Sequence, residues 1–495
     1  MASEPPIPAA PISDAVTVRM YKGLLGDCFL LQLASAAGRS FILIDCGVLQ
    51  GIQGASDRMV QVANDIVAAT GGRIDLLVVT HEHWDHISGF AHAAEVFFGG
   101  RLKIDTLWMA WTENDADPQA QGLRARFDRA KMAVAAAATT AAHLAARGVT
   151  GAAEVTAGLE AFIGPVERGL AAAGGPRTGR QILQALKQAA GAVAYLEPGQ
   201  VVATPGATPL KAYVLGPPRS AARLFKALPS AGDNKETYLA GDGLDHADHL
   251  LGAVAAGEAE AGPETPFPRR YEYAQEDVAH GGDPTLDWLK AAYVDGPAWR
   301  RIDADWLGGA GALALKLDSN TNNTSLVLAF ETPAKKVLLF AADAQVGNWL
   351  SWYDQTYPPT ALGGPVGVGV EDILLRTVVY KMGHHGSHNA TLDAQGLERM
   401  TDPSLVVFIP VVETDARAQG TAGWNMPFPD ILKRALELSK GAVLRGDTHA
   451  GRAPDGRSLG TDAAILACVG EDPAGLFVDY RLPAPLVGAF AATKA

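Results

Sequence analysis

The sequence predicts an α/β protein, on three observations. Short apolar strands alternate with segments of helical periodicity. One strand, "IDLLVVT", is a nearly continuous apolar run, as expected inside a sheet covered on both faces. That strand ends in "HEHWDH", His81 to His86, and a helical segment follows, the junction at which α/β proteins place their chemistry.

Taken in order, "AVTVRMY" and "CFLLQLA" read as paired strands around "KGLLGD", and "SFILIDCG" as a third strand ending at Asp45, Cys46 and Gly47. "MVQVANDIVAAT" has apolar residues at helical spacing and stops at Gly71 and Gly72; after the histidine motif, "ISGFAHAAEVFF" reads as helix. Residues 114–191 turn to Ala-rich helical sequence, and residues 220–311 to Gly, Pro and acidic residues. Both read as insertions into one domain spanning residues 16–485. Strand signals return at "KAYVLGPP", "ALALKLD", "TSLVLAFE", "KKVLLFAAD", "DILLRTVVYKMGHHGSHN" and "SLVVFIPV", followed by a helix at "FPDILKRALELS" and closing strands near "AAILACVG" and "GLFVDYRL". No repeat of fixed period is visible, which argues against a solenoid.

Composition limits the function. A hydrophobic content of 48% with 19% charged residues is ordinary globular material, and a net charge of -13 disfavours non-specific binding to nucleic acid or an anionic membrane. Long nucleic acid is therefore not a favoured partner. Three cysteines without a C-x-x-C spacing fit a reduced compartment. No basic n-region opens the chain, and no apolar run reaches the roughly 18 to 20 residues that span a bilayer. A soluble, cytoplasmic protein without membrane contact is expected.

The motif carries the chemistry. His81 and His83 alternate with period two on an extended loop, so both imidazoles reach one ion, while Asp85 and His86 reach a second ion or close the first. This nitrogen and oxygen set suits Zn, Mn or Fe, and no nearby cysteine adds sulfur. A P-loop, a G-x-S-x-G elbow and a G-x-G-x-x-G turn after a strand are all missing, which leaves serine-hydrolase and dinucleotide readings without support.

"HEHWDH" after an apolar strand resembles the signature of the metallo-β-lactamase superfamily. "GLLGDCFLLQL", "GRSFILIDCG", "LGPP", "NNTSLVLAF", "VLLFAADA" and "YKMGHHGSHN" follow in the order seen in the soluble hydrolase portion of DNA-uptake competence proteins and in related phosphocholine esterases. The resemblance implies a four-layer αββα sandwich with a shallow dinuclear site along one edge. It further implies that His81 and His83 bind one ion, that Asp85 and His86 bind the other, and that Asp343 bridges them. One of His384 and His385 completes the second site; neighbours on an extended segment point apart, so both do not ligate the same ion. By similarity His385 is the ligand and His384 meets the substrate, which makes Asp85 and His384 the candidate catalytic groups. Asp45, and in the same way Asp27, is expected to hydrogen-bond a ligand histidine or the motif loop. Lys381 and His388 are candidate substrate contacts. Asn322, Asn323 and Thr324 either line the cleft or form a turn.

One departure stands out. Relatives often carry a histidine before the prolines of "VLGPP", where this chain has Gly216. Single or mixed occupancy by one or two ions follows as an expectation, with His246, His249, His280 or His449 as possible substitutes. The implied activity is a metal-dependent hydrolase acting through a metal-activated water, most simply on a phosphodiester, phosphoester or other small molecule. Backbone N–H groups of a helix beginning near Ile87 and Ser88 would favour an anionic group. The same ions serve carboxylic ester, lactone or thioester hydrolysis, and a metal-stabilised binding or regulatory protein is the non-catalytic alternative.

Overall fold

The computed structural model describes residues 13–146, 178–226, 273–296, 317–357, 367–419 and 423–490, with a few isolated positions between them. The chain divides into two compact units, the first comprising residues 1–122, 165–242 and 319–495, the second residues 123–164 and 243–318.

The first unit holds two sheets. One has eight strands in the order β14-β15-β1-β2-β3-β4-β5-β6, and the other seven in the order β13-β12-β11-β10-β9-β8-β7. The strands of the first sheet are β1 Ala15–Tyr21, β2 Phe29–Ser35, β3 Gly38–Ile44, β4 Arg73–Val78, β5 Lys103–Ala110, β6 Ala190–Leu196, β14 Val469–Glu471 and β15 Phe477–Arg481. Those of the second are β7 Val201–Ala203, β8 Lys211–Gly216, β9 Val327–Glu331, β10 Val337–Phe340, β11 Thr377–Lys381, β12 Val406–Ile409 and β13 Val443–Arg445. Alternation assigns the faces. Phe29, Leu31 and Leu33 of β2 share a core with Leu328, Phe330, Leu338 and Phe340 of β9 and β10, whereas Leu30, Val327, Ala329, Val337 and Leu339 point outward.

Helices cover those outer faces. On the first sheet lie α1 Ala55–Thr70, through Met59, Val62, Ala63 and Ile66, and α2 Trp84–His92. The second unit takes most of α3, Pro118–Ala146. Thr178 and Gln181 form a reciprocal capping box that starts α4, Gly179–Ala189, and α4 packs on α2 within the first unit. On the second sheet lie α5 Val346–Ser351, α6 Val370–Leu375 and α7 Pro429–Leu438, through Trp349, Ile373 and Ile431. The first unit is thus a four-layer αββα sandwich. Its parallel pairs, β3-β4-β5-β6 and β10-β11-β12-β13, bring several strand ends to the same edge.

Several elements differ from expectation. Leu317 and Asp318 of "ALALKLD" are helical, not strand, as are Ala463–Leu466 of "AAILACVG" and the "DILL" that closes α6. β5 was not anticipated, and neither was β6, whose "AGAVAYL" continues an Ala-rich helical pattern; there, parallel pairing with β5 overrides propensity. Most of residues 147–177 and 227–272, with His246 and His249, lie outside the described residues.

A buried charge cluster joins β8, β9 and the residue before β11. Glu331 on β9 accepts from Lys211 at 3.0 Å, Arg376 at 2.8 Å and the Tyr213 hydroxyl at 3.0 Å. Burial alone would raise its carboxyl, but these partners outweigh burial and hold it at about 2 against an ordinary 4.5. A depressed carboxyl stabilises the fold fully above its unfolded value, and that contribution disappears as pH falls through the folded one. Glu331→Gln is therefore expected to flatten the acid limb of stability between about pH 5 and pH 2. Urea unfolding across that range checks this, and an unchanged limb would acquit the cluster.

Candidate metal centre

The strand ends carry the polar residues. β3 runs into Asp45, β4 into Thr80 and His81, β10 into Asp343, β11 into His384 and His385, and β12 into Pro410. His83 caps α2, its carbonyl accepting from the backbone N–H of His86 and Ile87, so the helix starts at Trp84, earlier than expected. Asp85 itself occupies the first turn, and the substrate anion expected at Ile87 and Ser88 has no helix end there to meet. A Cβ on Gly47 would lie 2.2 Å from the Asp85 carbonyl carbon and 2.4 Å from the His86 nitrogen, so only glycine allows the loop after β3 to seat against this helix start.

Hydrogen bonds set the tautomers. The Thr80 hydroxyl donates to Asp45 at 2.7 Å and therefore accepts from His81 Nδ1 at 3.1 Å, which leaves the His81 Nε2 lone pair directed outward, 3.1 Å from His83 Nδ1. His86 Nδ1 donates to Asp45 at 2.8 Å, and His385 Nδ1 donates to the Pro410 carbonyl at 2.7 Å. Both rings thereby present Nε2 to the same space. His385 Nε2 lies 3.0 Å from Asp85 Oδ2; His86 Nε2 lies 3.8 Å from that atom and 3.1 Å from Asp343 Oδ2.

Charge in this space is out of the ordinary. His86 Nε2 and Asp343 Oδ2, an ion pair at 3.1 Å, are buried without a well-formed hydrogen bond, a costly arrangement that a cation between them would relieve; Asp27 Oδ1, behind the rings, is likewise buried without one. Burial would lower the His86 and His385 rings, but the surrounding carboxylates raise both above the ordinary 6.5. Burial would raise Asp85 and Asp343, yet the neighbouring histidines, with Lys381 beside Asp343, hold both below the ordinary 3.8. His81 is pushed down by burial, then by His86 and His83, and stays neutral as a ligand must.

Asp27, His86, Asp343 and His385 each offer an atom within 4.8 Å of the others, a set able to hold a metal ion. Asp27 faces the Nδ1 side of both rings, at 3.8 Å from each, and pairs closely with Lys381; Asp85 faces their Nε2 side. Asp85 is therefore better placed than Asp27 as the fourth ligand once a cation displaces the Nε2 protons. Asp27 was expected only beside the motif loop, and its backbone N–H does donate to the Asp85 carbonyl at 2.9 Å.

Lys381 departs from its expected role as a substrate contact. It is 1% exposed, and its ammonium binds Asp27, the Ala342 carbonyl at 2.9 Å and Asp343 Oδ1 at 3.4 Å, with no proton left for a ligand. His384 and His385 sit at positive φ, 43° and 53°, on a tight turn instead of an extended segment. The turn separates the rings: His385 is buried against Asp85, whereas His384 keeps 15% exposure with Nε2 3.9 Å from Asp343. His388 is half-buried beside Phe428, and burial lowers its ring. His449 lies exposed against Glu471, and His280 bonds the Glu276 carbonyl. Asn323 accepts from the Gln345 and Asn348 backbone and caps α5. Thr80 and Ser325, whose hydroxyl is 3.4 Å from His81 Nδ1, were not anticipated; for Thr80 the signal was its place directly before the motif.

Residues 21–182 match the model of the metallo-beta-lactamase superfamily. The matched stretch contains "HEHWDH", and the αββα sandwich is the superfamily's fold. No curated protein matches the chain. Beyond the superfamily match, the described residues hold a buried Asp/His cluster able to bind a metal ion. Among the described residues no helix is long and apolar enough to cross a membrane.

Asp45 is wholly buried and orients both Thr80 and His86. Asp45→Ala is expected to weaken metal binding by about 10–100-fold, as loss of an outer partner does. Calorimetric titration of the variant measures this, and unaltered affinity would refute the orienting role.

Proposed function

We propose that the chain is a metallohydrolase acting on phosphodiester or phosphoester bonds, with Asp85, His86, Asp343 and His385 as the principal metal ligands and His81 and His83 at the cleft beside them. The observation that carries the reading is the convergence of His86 Nε2 and Asp343 Oδ2 with His385 Nε2 and Asp85 Oδ2 in one buried space. A divalent cation there, Zn being the simplest candidate and Mn or Fe the alternatives, supplies a lowered pKa to an attacking water and polarises the electrophile.

The protein's own groups do the rest. Asp45 and the Pro410 carbonyl hold the ligand rings in one tautomer, and Lys381 neutralises Asp27 and one oxygen of Asp343 from behind. The partial exposure of the His384 ring next to Asp343 supports its role as a substrate hydrogen-bonding group. The phosphoester preference rests on the resemblance of the motif order to that of competence-type hydrolases and phosphocholine esterases. The acidic balance of the chain, -13, favours small phosphodiesters over long nucleic acid.

Turnover of bis-p-nitrophenyl phosphate and of p-nitrophenyl acyl esters after Zn or Mn loading tests this. The phosphodiester is expected to be cleaved preferentially, and Asp343→Ala to lower kcat by about a hundredfold or more. Activity on acyl esters alone would replace the substrate class; a metal-free chain, or an Asp343→Ala enzyme of full activity, would remove the hydrolase reading.

A further inference from the structure

We infer that this chain holds one tightly bound divalent cation, at Asp85, His86, Asp343 and His385, because Gly216, the position from which the resemblance implies a third ligand for an ion at His81 and His83, has no side chain and is packed against Asn348. The inference rests on the metal reading above and sharpens it.

The geometry is at the end of β8. Gly216 pairs with Val327, and a Cβ built on it would lie 2.1 Å from Asn348 Oδ1, 2.8 Å from its Cγ and 2.9 Å from its Nδ2. No side chain can leave position 216 without displacing that amide. The amide is fixed: Nδ2 donates to the Asn323 and Ser325 carbonyls, each at 3.0 Å, and Oδ1 accepts from Trp352 Nε1 at 2.9 Å. Trp352 stacks on Trp349 with ring centroids 3.9 Å apart, and all three side chains are fully buried. Ser325 links this plug to the motif, since its carbonyl takes the Asn348 proton while its hydroxyl lies 3.4 Å from His81 Nδ1.

The donor sets are therefore unequal. Four groups converge on the first position. His81 and His83 have each other, and Asp343 Oδ2 is already turned toward His86, while Asp343 Oδ1 is held by Lys381. Removing even an outer partner of a ligand costs about 10–100-fold in metal affinity, so a missing ligand costs at least that.

The test counts ions in the full chain. After chelation and dialysis, the protein is titrated with Zn by calorimetry, passed through gel filtration, and its metal measured by mass spectrometry. One retained equivalent per chain is expected, with a second at least about tenfold weaker; His385→Ala should lose the retained ion and His83→Ala should keep it. The double variant Gly216→His, Asn348→Ala should retain two. Two equivalents of similar affinity in the native chain would overturn the inference and leave the metal reading standing, as would an ion lost in His83→Ala yet kept in His385→Ala. A double variant that melts cooperatively but still retains one ion would also overturn it. If the double variant does not fold, the native and single-variant counts decide. No retained ion in the native chain would defeat both readings.

Discussion

Four buried carboxylates, Asp27, Asp45, Asp85 and Asp343, crowd around two imidazoles and one ammonium, and the rest of the centre is an arrangement for neutralising them. A lone carboxylate so far from water would cost several kcal/mol even after relaxation. Each instead has an assigned counterpart. Thr80 and His86 satisfy Asp45, Lys381 satisfies Asp27, and the histidines lie against Asp85 and Asp343. What stays without a well-formed hydrogen bond is Asp27 Oδ1 behind the rings and, in front of them, the facing His86 Nε2 and Asp343 Oδ2, an ion pair at 3.1 Å. A cation coordinates two such lone pairs without needing the linear geometry a shared proton demands.

The backbone bears strain to make this arrangement. Among the described residues, six other than glycine have positive φ, and four of them, Asp45, Ala342, His384 and His385, are at the centre. Left-handed conformations of this kind cost of order 1–3 kcal/mol each and persist where surrounding structure enforces them. Here the enforcement comes from strand ends: each of the four follows a parallel strand whose register is fixed by its neighbours, so the turn out of the sheet is forced within one to four residues. Gly47 plays the complementary part by letting the loop after β3 touch the start of α2 backbone to backbone.

Much of the centre was legible in the sequence because it depends on local spacing. "HEHWDH" after an apolar run marks a metal loop on its own, and the strand endings at Asp45 and Asp343 follow from the apolar runs that precede them. The Lys381 position was legible but its role was not: a lysine beside a histidine pair reads equally as a substrate contact, and only the distance to Asp27, 354 positions earlier in the chain, turns it into a buried counter-ion. Thr80 and Ser325 were silent for the same reason, since a hydroxyl acquires meaning from what it faces. β6 was hidden because alanine-rich sequence favours helix, and pairing with β5 outweighed that preference.

By itself the sequence determined the α/β class and the identity of the histidine loop, because periodicity, ligand spacing and residue type are local properties. Only the tertiary structure decided which ring nitrogens face inward, that Asp85 and not Asp27 meets them, and that Asn348 occupies the ground beside Gly216. Those outcomes depend on contacts between strands and helices far apart in the chain, where hydrogen-bond direction and excluded volume, and not spacing, choose among the arrangements the residues allow.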